Sequence, residues 1–269
     1  MSEVAGVEVT LSTSSLYPLG PTQAFEMAAK LGYDGIEVMV LADPTTQDSA
    51  GLRELSERHG LPIRSIHAPT LLVTQRVYGN SPWDKIDRSI ELAHDVDADV
   101  VVLHPPFRWQ KEYATSFVEG VAAREREFGL TLAVENMYPW RAGRHVQAYL
   151  PGWDPVPQPY EHVTLDLSHA ATAQSDVLQM QADLGRRLAH VHLTDGSGSL
   201  KDEHLVPGHG NQPCAEFLHR LARDPYDGVV AVEVGTRKQK PEGREAFLRE
   251  SLEFARTHLA RGLAERRHH

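Results

Sequence analysis

The sequence predicts a single (β/α)8 barrel, an α/β fold in which eight parallel strands alternate with helices. Two observations support it: eight short runs rich in β-branched residues, and helical periodicity in the segments between most of them. The length of 269 residues leaves about 34 residues for each strand–helix unit, which suits a TIM barrel. An open, doubly wound sheet is the alternative arrangement of the same elements.

The predicted strands follow one another along the whole chain. In order they are Val7–Thr13, Gly35–Val40, Pro62–His67, Asp99–His104, Leu130–Asn136, His162–Leu167, Leu188–Leu193 and Gly228–Val234. Between them, Pro21 and Pro213 are typical of a first helical position. No linker or low-complexity tract divides the chain, so we expect one barrel domain over residues 1–265 and a tail over 266–269.

One connection departs from this pattern. Residues 138–160 hold five prolines, two tryptophans and three tyrosines, with little room for a full helix. Long connections inside a domain often serve as lids or binding loops. The alternative is a proline-stiffened segment that replaces one helix of the outer ring, and both interpretations stay open at this point.

The overall composition is that of an ordinary globular protein with an acidic balance. Hydrophobic residues make up 41%, charged residues 24%, and the net charge is −10. The single cysteine, Cys214, excludes an internal disulfide framework. Neither a signal peptide nor a membrane span is visible, so we expect a cytoplasmic protein. The acidic balance argues against a broad nucleic-acid surface, and a homo-oligomer is compatible with the sequence.

Carboxylates and imidazoles recur at the carboxyl ends of the predicted strands, where a barrel of this type carries its active site. Seven of the eight strands deliver one; the residues are Glu37, His67, His104, Glu135, Asp166 with His169, His192 and Glu233. Clustered carboxylates repel one another unless a cation compensates them, and mixed histidine–carboxylate sets are typical ligands of divalent cations. The sequence therefore predicts a metal site at this end. We expect His190, one layer deeper than His192, to fill the barrel instead.

The loop after the seventh strand adds a second source of ligands. In its motif DEHLVPGHG (202–210), Asp202 and His204 could return a carboxylate and an imidazole to the site, or both could simply be solvated. Further along, Cys214 lies near a predicted helix start, where a thiol pKa can be lowered. We interpret Cys214 as structural, because the metal site already supplies a chemistry.

Eight short motifs occur in a characteristic order across nearly the whole chain. They are GYDGIEV (32–38), HAP (67–69), LHP (103–105), VEN (134–136), LDLSH (165–169), HVHLTD (190–195), DEHLVPGHG (202–210) and VEV (232–234). The ordered set resembles the xylose isomerase-like barrel superfamily, which includes sugar-phosphate isomerases and epimerases and also endonuclease IV. The isomerase and epimerase branch implies catalytic roles for Glu135, Glu233 and His169. It also implies one divalent ion held by Glu135, Asp166, His192 and Glu233.

The endonuclease IV branch implies three zinc ions, and every ligand has a counterpart here. The first ion would take His67, His104 and Glu135, the second the four residues above, and the third His169, Asp202 and His204. The DNA-binding parts do not match: Thr70 follows HAP where the abasic-site enzymes have a tyrosine, and the loop VLADPTTQ (40–47) lacks their asparagine-arginine pair. The epimerases usually place an arginine after the seventh-strand histidine, whereas this chain offers only Lys201.

Basic residues gather in the loops that follow the strands. They are Arg76, Arg108, Lys111, Arg141, Arg144, Lys201, Arg237, Lys238 and Lys240. In an acidic protein this distribution favours a small anionic substrate, such as a phosphorylated or carboxylated sugar, although ordinary surface charge explains it as well. The candidate substrate-binding residues are Glu37, Arg108, Trp140, Arg141, Lys201 and Arg237.

We therefore predict a metal-dependent isomerase or epimerase of a small sugar or sugar phosphate. Zinc is the expected ion, with manganese, cobalt or magnesium as alternatives, and the site would hold one to three ions. The alternative function is zinc-dependent hydrolysis of a phosphodiester or phosphomonoester, and a non-catalytic metal-binding barrel is the third. Duplex DNA and membranes are not expected partners.

Overall fold

Eight parallel strands close into a barrel in the computed structural model, which describes residues 6–70, 74, 76–141, 145–146 and 148–266. The closed order is β1-β10-β9-β8-β5-β4-β3-β2, so the first and last strands pair at the seam. The strands are β1 Val9–Ser12, β2 Gly35–Met39, β3 Ile63–His67, β4 Val100–Leu103, β5 Thr131–Glu135, β6 Trp140–Arg141, β7 His145–Val146, β8 Val163–Asp166, β9 Leu188–Leu193 and β10 Val229–Val232. The predicted fold class is confirmed.

Helices cover the outside of the barrel. Within the described residues they are α1 Pro21–Leu31, α2 Ser49–His59, α3 Pro82–Asp95, α4 Lys111–Phe128, α5 Leu167–Ala173, α6 Val177–Leu184, α7 Cys214–Arg223 and α8 Pro241–Arg266. As predicted, Pro21 is the first residue of α1, whereas α7 begins one residue after Pro213. None of these helices combines the length and the apolarity that crossing a bilayer requires.

Alternation along the strands separates two cores. In β1, Val9 and Leu11 belong to the large apolar core between strands and helices, so Thr10 and Ser12 point into the barrel. Val100, Val102 and Ala133 form a separate small apolar cluster in the barrel interior. Small and polar inward side chains leave room for larger functional residues above them.

The connection over residues 138–160 combines both interpretations made from the sequence. In its described part there is no helix; β6 and β7 instead pair as a short antiparallel hairpin. The segment is tied to the loop after β4, since Arg108 N donates to Ala148 O at 2.8 Å and Phe107 bridges Tyr149. It therefore replaces a helix and lies over the carboxyl end of the barrel.

Cys214 is a buried structural residue. Its thiol lies 3.5 Å from Thr194 O, and burial raises the pKa of the thiol. The alternative of a lowered pKa at the start of α7 is therefore wrong, because removal from water outweighs the helix terminus.

A pH-dependent contribution to stability is expected from His162, which lies before β8. Its Nδ1 is 2.6 Å from Oε1 of Glu125, a buried residue of α4, and this hydrogen bond raises the pKa of His162. The ion pair should stabilise the fold fully below the unfolded pKa, about 6.5, and lose this effect as pH rises through the raised folded value. Chemical denaturation of wild type and His162→Gln should therefore differ more at about pH 5.5 than at about pH 9. An equal difference at both pH values would contradict this assignment.

Candidate metal centre

Ligand-type side chains converge at the carboxyl end of the barrel in overlapping groups. In the central group, one ligand atom of each residue lies within 4.8 Å of those of the others; its members are Glu135, Asp166, His192 and Glu233. Among the described residues, the same criterion finds a histidine-pair group, His67, His104 and Glu135, and a loop group, Asp166, His169 and His204. It also finds a deeper group, Glu37, His190 and His192, so His190 fills the barrel, as expected, while lying within reach of two ligand-type side chains. The structure thus brings together the residues that the sequence placed at the ends of six different strands.

Glu135 is shared by the central and histidine-pair groups, as Asp166 is shared by the central and loop groups. Its Oε2 lies 2.8 Å from His104 Nε2 and 3.3 Å from His67 Nε2. Its Oε1 lies 2.9 Å from His192 Nδ1 and 3.3 Å from His169 Nδ1. The side chain is 1% exposed. Such a carboxylate, with imidazoles on both oxygens, can bridge two neighbouring ligand groups.

His192 is oriented by a carboxylate on its far side. Its Nδ1 faces the central group, 3.0 Å from Glu233 Oε2, while Nε2 lies 3.1 Å from Glu37 Oε1. Glu37 is fully buried, accepts a hydrogen bond from Ser65 at 2.8 Å and lies 3.1 Å from His190 Nε2. With its oxygens so occupied beneath the central group, Glu37 cannot reach a substrate, which corrects the sequence prediction. Its contact with Nε2 fixes the ring of His192 with Nδ1 towards the central group.

Asp202 and His204 fold back over the barrel rather than into solvent. Asp202 Oδ2 lies 2.9 Å from His204 Nε2 and 3.2 Å from His169 Nε2. Ser168 donates to Asp202 Oδ1 at 2.7 Å, and its hydroxyl also accepts from the His204 amide at 3.1 Å. Asp202 is therefore part of the same cluster as the loop group.

The charges of the site compensate one another. Burial opposes ionisation of Glu135, but the histidines around it, chiefly His192 and His104, outweigh burial and hold the pKa of Glu135 well below its usual range. Burial raises the pKa of Glu233, and His192 and His204 only partly offset it. Burial also disfavours charged imidazoles, yet neighbouring carboxylates raise the pKa of His67, His169, His192 and His204. A divalent cation bound by these groups would take over the compensation of the carboxylate charge and would hold the imidazoles in their neutral form.

The donor set fits a divalent cation. Asp166 Oδ2 is buried and accepts no hydrogen bond from a described residue; His192 Nδ1, at 3.6 Å, is too far away. A buried carboxylate oxygen without a donor is costly unless a cation meets it. Mixed imidazole and carboxylate ligands suit zinc and similar ions, so the central group is the best candidate for one ion.

A cavity of about 300 Å³ opens above these groups. Its polar lining comes from the central, histidine-pair and loop groups and includes His67, His169 and Glu233. The rest of the lining is apolar or aromatic, and those residues are Met39, Phe107, Met137, Tyr138, Trp140 and Tyr149. Such a mixed lining suits a small molecule that carries both polar groups and carbon-bound hydrogens.

Comparison with known proteins assigns the family. A family model described as a xylose isomerase-like TIM barrel matches residues 25–258. The chain belongs to this xylose isomerase-like family. It is 46% identical to an uncharacterized protein of Mycobacterium tuberculosis, over 95% of this chain and 99% of that protein. It is 23% identical to fructoselysine 3-epimerase of Shigella flexneri, over 79% of this chain and 84% of the enzyme.

Solved structures share the xylose isomerase-like fold. A D-tagatose 3-epimerase-like protein superposes with a TM-score of 0.66 at 24% identity, covering 93% of this chain and 98% of that one. The IOLI protein, solved with a binding zinc atom, gives a TM-score of 0.66 at 17% identity, covering 96% and 98%. At these identities the likeness establishes the architecture.

The predicted substrate-binding residues are distributed unequally in this xylose isomerase-like barrel. Trp140 lines the cavity. Arg108, Lys201 and Arg237 are exposed and do not line it; the Arg237 guanidinium lies 5.3 Å from the Tyr17 ring centroid instead. The other basic loop residues with described side chains are also exposed; they are Arg76, Lys111, Lys238 and Lys240. The side chains of Arg141 and Arg144 lie outside the described residues.

Two polar residues that the sequence did not single out, Ser14 and Asn136, hold Glu233 and Asp166 in place. Ser14 donates to Glu233 Oε1 at 2.9 Å from the far side of the barrel seam. Asn136 accepts from the Asp166 amide at 2.6 Å and donates to Asp166 O at 3.0 Å, which joins the ends of β5 and β8. The position of Asn136 directly after Glu135 in the VEN motif could have indicated its supporting role, whereas nothing in the sequence around Ser14 indicated one.

Asp195 organises the loop that carries Asp202 and His204. It is fully buried, and its carboxylate accepts hydrogen bonds of 2.8–3.0 Å from four backbone amides; they belong to Gly196, Gly208, Gly210 and Gln212. A Cβ at Gly210 would lie 2.3 Å from Asp195 Oδ1, so only glycine allows this approach. The aspartate before a glycine-rich loop was the sequence signal for this role.

Proposed function

We propose that this chain is a divalent-metal-dependent isomerase or epimerase of a small sugar or sugar phosphate. The observation that carries the proposal is the central group, whose four residues bring ligand atoms within 4.8 Å of one another at the floor of a cavity with an aromatic side. The names of two relatives, a fructoselysine 3-epimerase and a D-tagatose 3-epimerase-like protein, support the same class of reaction.

Glu135 and Glu233 are the proposed acid–base pair. A divalent ion bound by the central group would polarise a substrate carbonyl and so acidify the neighbouring C–H. Glu135 Oε1 and Glu233 Oε2 lie 2.9 and 3.0 Å from the same nitrogen, His192 Nδ1, although their strands are not neighbours. The two carboxylates therefore flank one place, where one can remove the proton and the other return it. His169 lines the cavity beside them and can hold a substrate hydroxyl.

Hydrogen exchange tests the reaction class. We expect metal-loaded protein in D2O to place deuterium next to the carbonyl of a ketose, an aldose or one of their phosphates, because proton abstraction there exposes the carbanion to solvent deuterons. Proton NMR follows the loss of the C–H signal. Chelated protein is the control and should exchange nothing above the uncatalysed rate. Absence of exchange with every sugar tested, together with no isomer formed, would contradict the proposal.

Metal content separates the proposed function from its alternative. Elemental analysis of protein purified without chelator should give at least about one equivalent of zinc or a similar divalent ion, because the buried carboxylates of the central group need a compensating charge. About one equivalent favours the isomerase, and about three favour a hydrolase. Protein that retains no divalent ion after incubation with excess metal would contradict both proposed functions.

Zinc-dependent phosphoester hydrolysis is the second candidate function. It is favoured by the histidine-pair and loop groups, which offer two further ligand sets beside the central group. Against it, Thr70 stands after HAP and the net charge is −10, which disfavours a DNA duplex. We expect no incision of an abasic-site duplex at about 0.15 M salt. Metal-dependent incision that is lost in His67→Ala and His104→Ala would replace the isomerase with the hydrolase.

A further inference from the structure

A second cavity of about 330 Å³ lies beside the first, where α3 and α4 begin. His104 and Phe107 line both cavities, so the two share one wall. On the side of the second cavity the lining includes Pro82, the first residue of α3, and Gln110, which precedes α4. A ligand seated at the central group can therefore extend past His104 into a separate chemical environment.

The second cavity contains a buried cation. Lys85 of α3 lines it and is 6% exposed; its ammonium donates to Thr74 O at 3.1 Å and to Val77 O. Among the described residues no carboxylate lies within ion-pair distance of it, and no aspartate or glutamate lines the cavity. Burial lowers the pKa of Lys85, and the two oxygens that accept from its ammonium are uncharged carbonyls. An oxyanion placed in the cavity would compensate the charge of the ammonium.

Other groups around the cavity match an anion with an organic attachment. The N-termini of α3 and α4 contribute partial positive charge. His104, which is 4% exposed, forms part of the wall that this cavity shares with the first one. Trp109 is 51% exposed, and its ring stacks on Phe107 at 4.7 Å, which leaves an aromatic face at the side of the cavity.

We propose that this second cavity is an oxyanion subsite, which binds the phosphate or carboxylate group of a substrate whose sugar part occupies the first cavity. The inference rests on the proposed function for the position of the sugar, but not for the binding of the anion. Lys85 supplies the positive charge, and the Trp109 ring covers the part of the substrate that links its sugar to its anionic group. The same chemistry would also admit a free anion, which a competition experiment distinguishes from a substrate group.

Calorimetric titration with inorganic phosphate tests the subsite. The protein is first treated with chelator, so that phosphate cannot bind to a metal. We expect saturable binding that becomes at least about tenfold weaker in Lys85→Met, which removes the charge at similar volume. Lys30→Met is the matched control, because Lys30 is an exposed lysine paired with Glu245, and it should bind phosphate like the wild type.

Gln110→Glu is the second variant and keeps the test decisive if Lys85→Met does not fold. Gln110 Oε1 accepts from the Phe107 amide at 2.9 Å, and glutamate retains that acceptor while adding negative charge at a helix N-terminus, where it is tolerated. We expect an intact fold by circular dichroism and at least about tenfold weaker phosphate binding. Phosphate that fails to bind chelated protein, or that binds both variants as it binds the wild type, overturns the subsite.

Competition identifies the source of the anion. If the anionic group belongs to the substrate, inorganic phosphate should compete with a ketose phosphate. Lys85→Met or Gln110→Glu should then raise KM for the ketose phosphate but not for the unphosphorylated ketose. If phosphate binds without competing, and the variants leave KM unchanged for both the phosphorylated and the unphosphorylated sugar, the subsite holds a free anion. The assignment to the substrate is then wrong. Because phosphate binding is measured without metal or turnover, failure of the isomerase proposal leaves this result interpretable.

Discussion

Replacement of Glu233 by glutamine should reduce turnover by about 10²–10⁴-fold while the barrel still folds, since a positioned acid or base contributes this much to proton transfer. The carboxylate lies 3.0 Å from His192 Nδ1 and accepts from Ser14 at 2.9 Å. Glutamine keeps an oxygen for Ser14 but removes the negative charge that the proposed centre needs. Metal affinity should therefore fall as well, which isothermal titration with zinc measures directly.

Glu203→Gln is the matched control for this variant. Glu203 belongs to the loop at the same end of the barrel, but its carboxylate accepts from Ser197 and belongs to none of the ligand groups found among the described residues. Its turnover and zinc affinity should stay near those of the wild type. Wild-type turnover in Glu233→Gln would remove Glu233 from both the acid–base pair and the ligand set.

Replacement of Asp195 by alanine should cost about 2–4 kcal/mol of unfolding free energy, because it leaves four backbone amides, one buried and three partly buried, without their acceptor. Four backbone N–H groups converge on this carboxylate. The same change should loosen the loop that brings Asp202 and His204 to the site, so we also expect faster amide exchange over residues 196–212. Urea denaturation and hydrogen–deuterium exchange measure the two effects.

Two further variants serve as controls for Asp195→Ala. Asp195→Asn retains one carbonyl oxygen and should lose less stability than alanine, because one pair of amides keeps its acceptor. Asp227→Ala removes an exposed carboxylate between α7 and β10 and should leave both the unfolding free energy and the exchange rates nearly unchanged. If Asp195→Ala matches Asp227→Ala, the carboxylate does not organise the loop.

The barrel was predictable because its signals are local. Each run of β-branched residues specifies a strand that is buried on both faces, and the repeat of strand and helix leaves few topologies. The ligand residues were predictable for the same reason, since parallel strands place their carboxyl ends at one end of the barrel. His67, His192 and Glu233 therefore appear where the sequence placed them.

Depth along a strand was not predictable. Glu37 was placed among the strand-end residues although the predicted strand ran to Val40. In the structure β2 ends at Met39, and it is Met39 that pairs with His67 and lines the cavity. Glu37 pairs with Ser65 one layer below, next to a register shift at Ile36. A bulge of this kind changes which residue reaches the active-site level without changing the hydrophobic pattern.

The direction of side chains in the loops also could not be predicted from the sequence. Arg108 and Lys201 lie in loops that follow strands, but their side chains face solvent, because backbone turns rather than periodicity set their direction. Lys85, by contrast, sits in a helix that reads as ordinary surface, and only the packed structure reveals that its ammonium is enclosed.

The hydrogen bond between Ser14 and Glu233 spans 219 positions of the chain, and this has a consequence for synthesis. The ribosome makes β1 before β10, so a nascent chain carries most of the carboxylates and imidazoles before the residue that completes them. Assembly of the site must therefore wait until β10 has been synthesised. A chain terminated before Val229 lacks both the strand that closes the barrel and a proposed ligand.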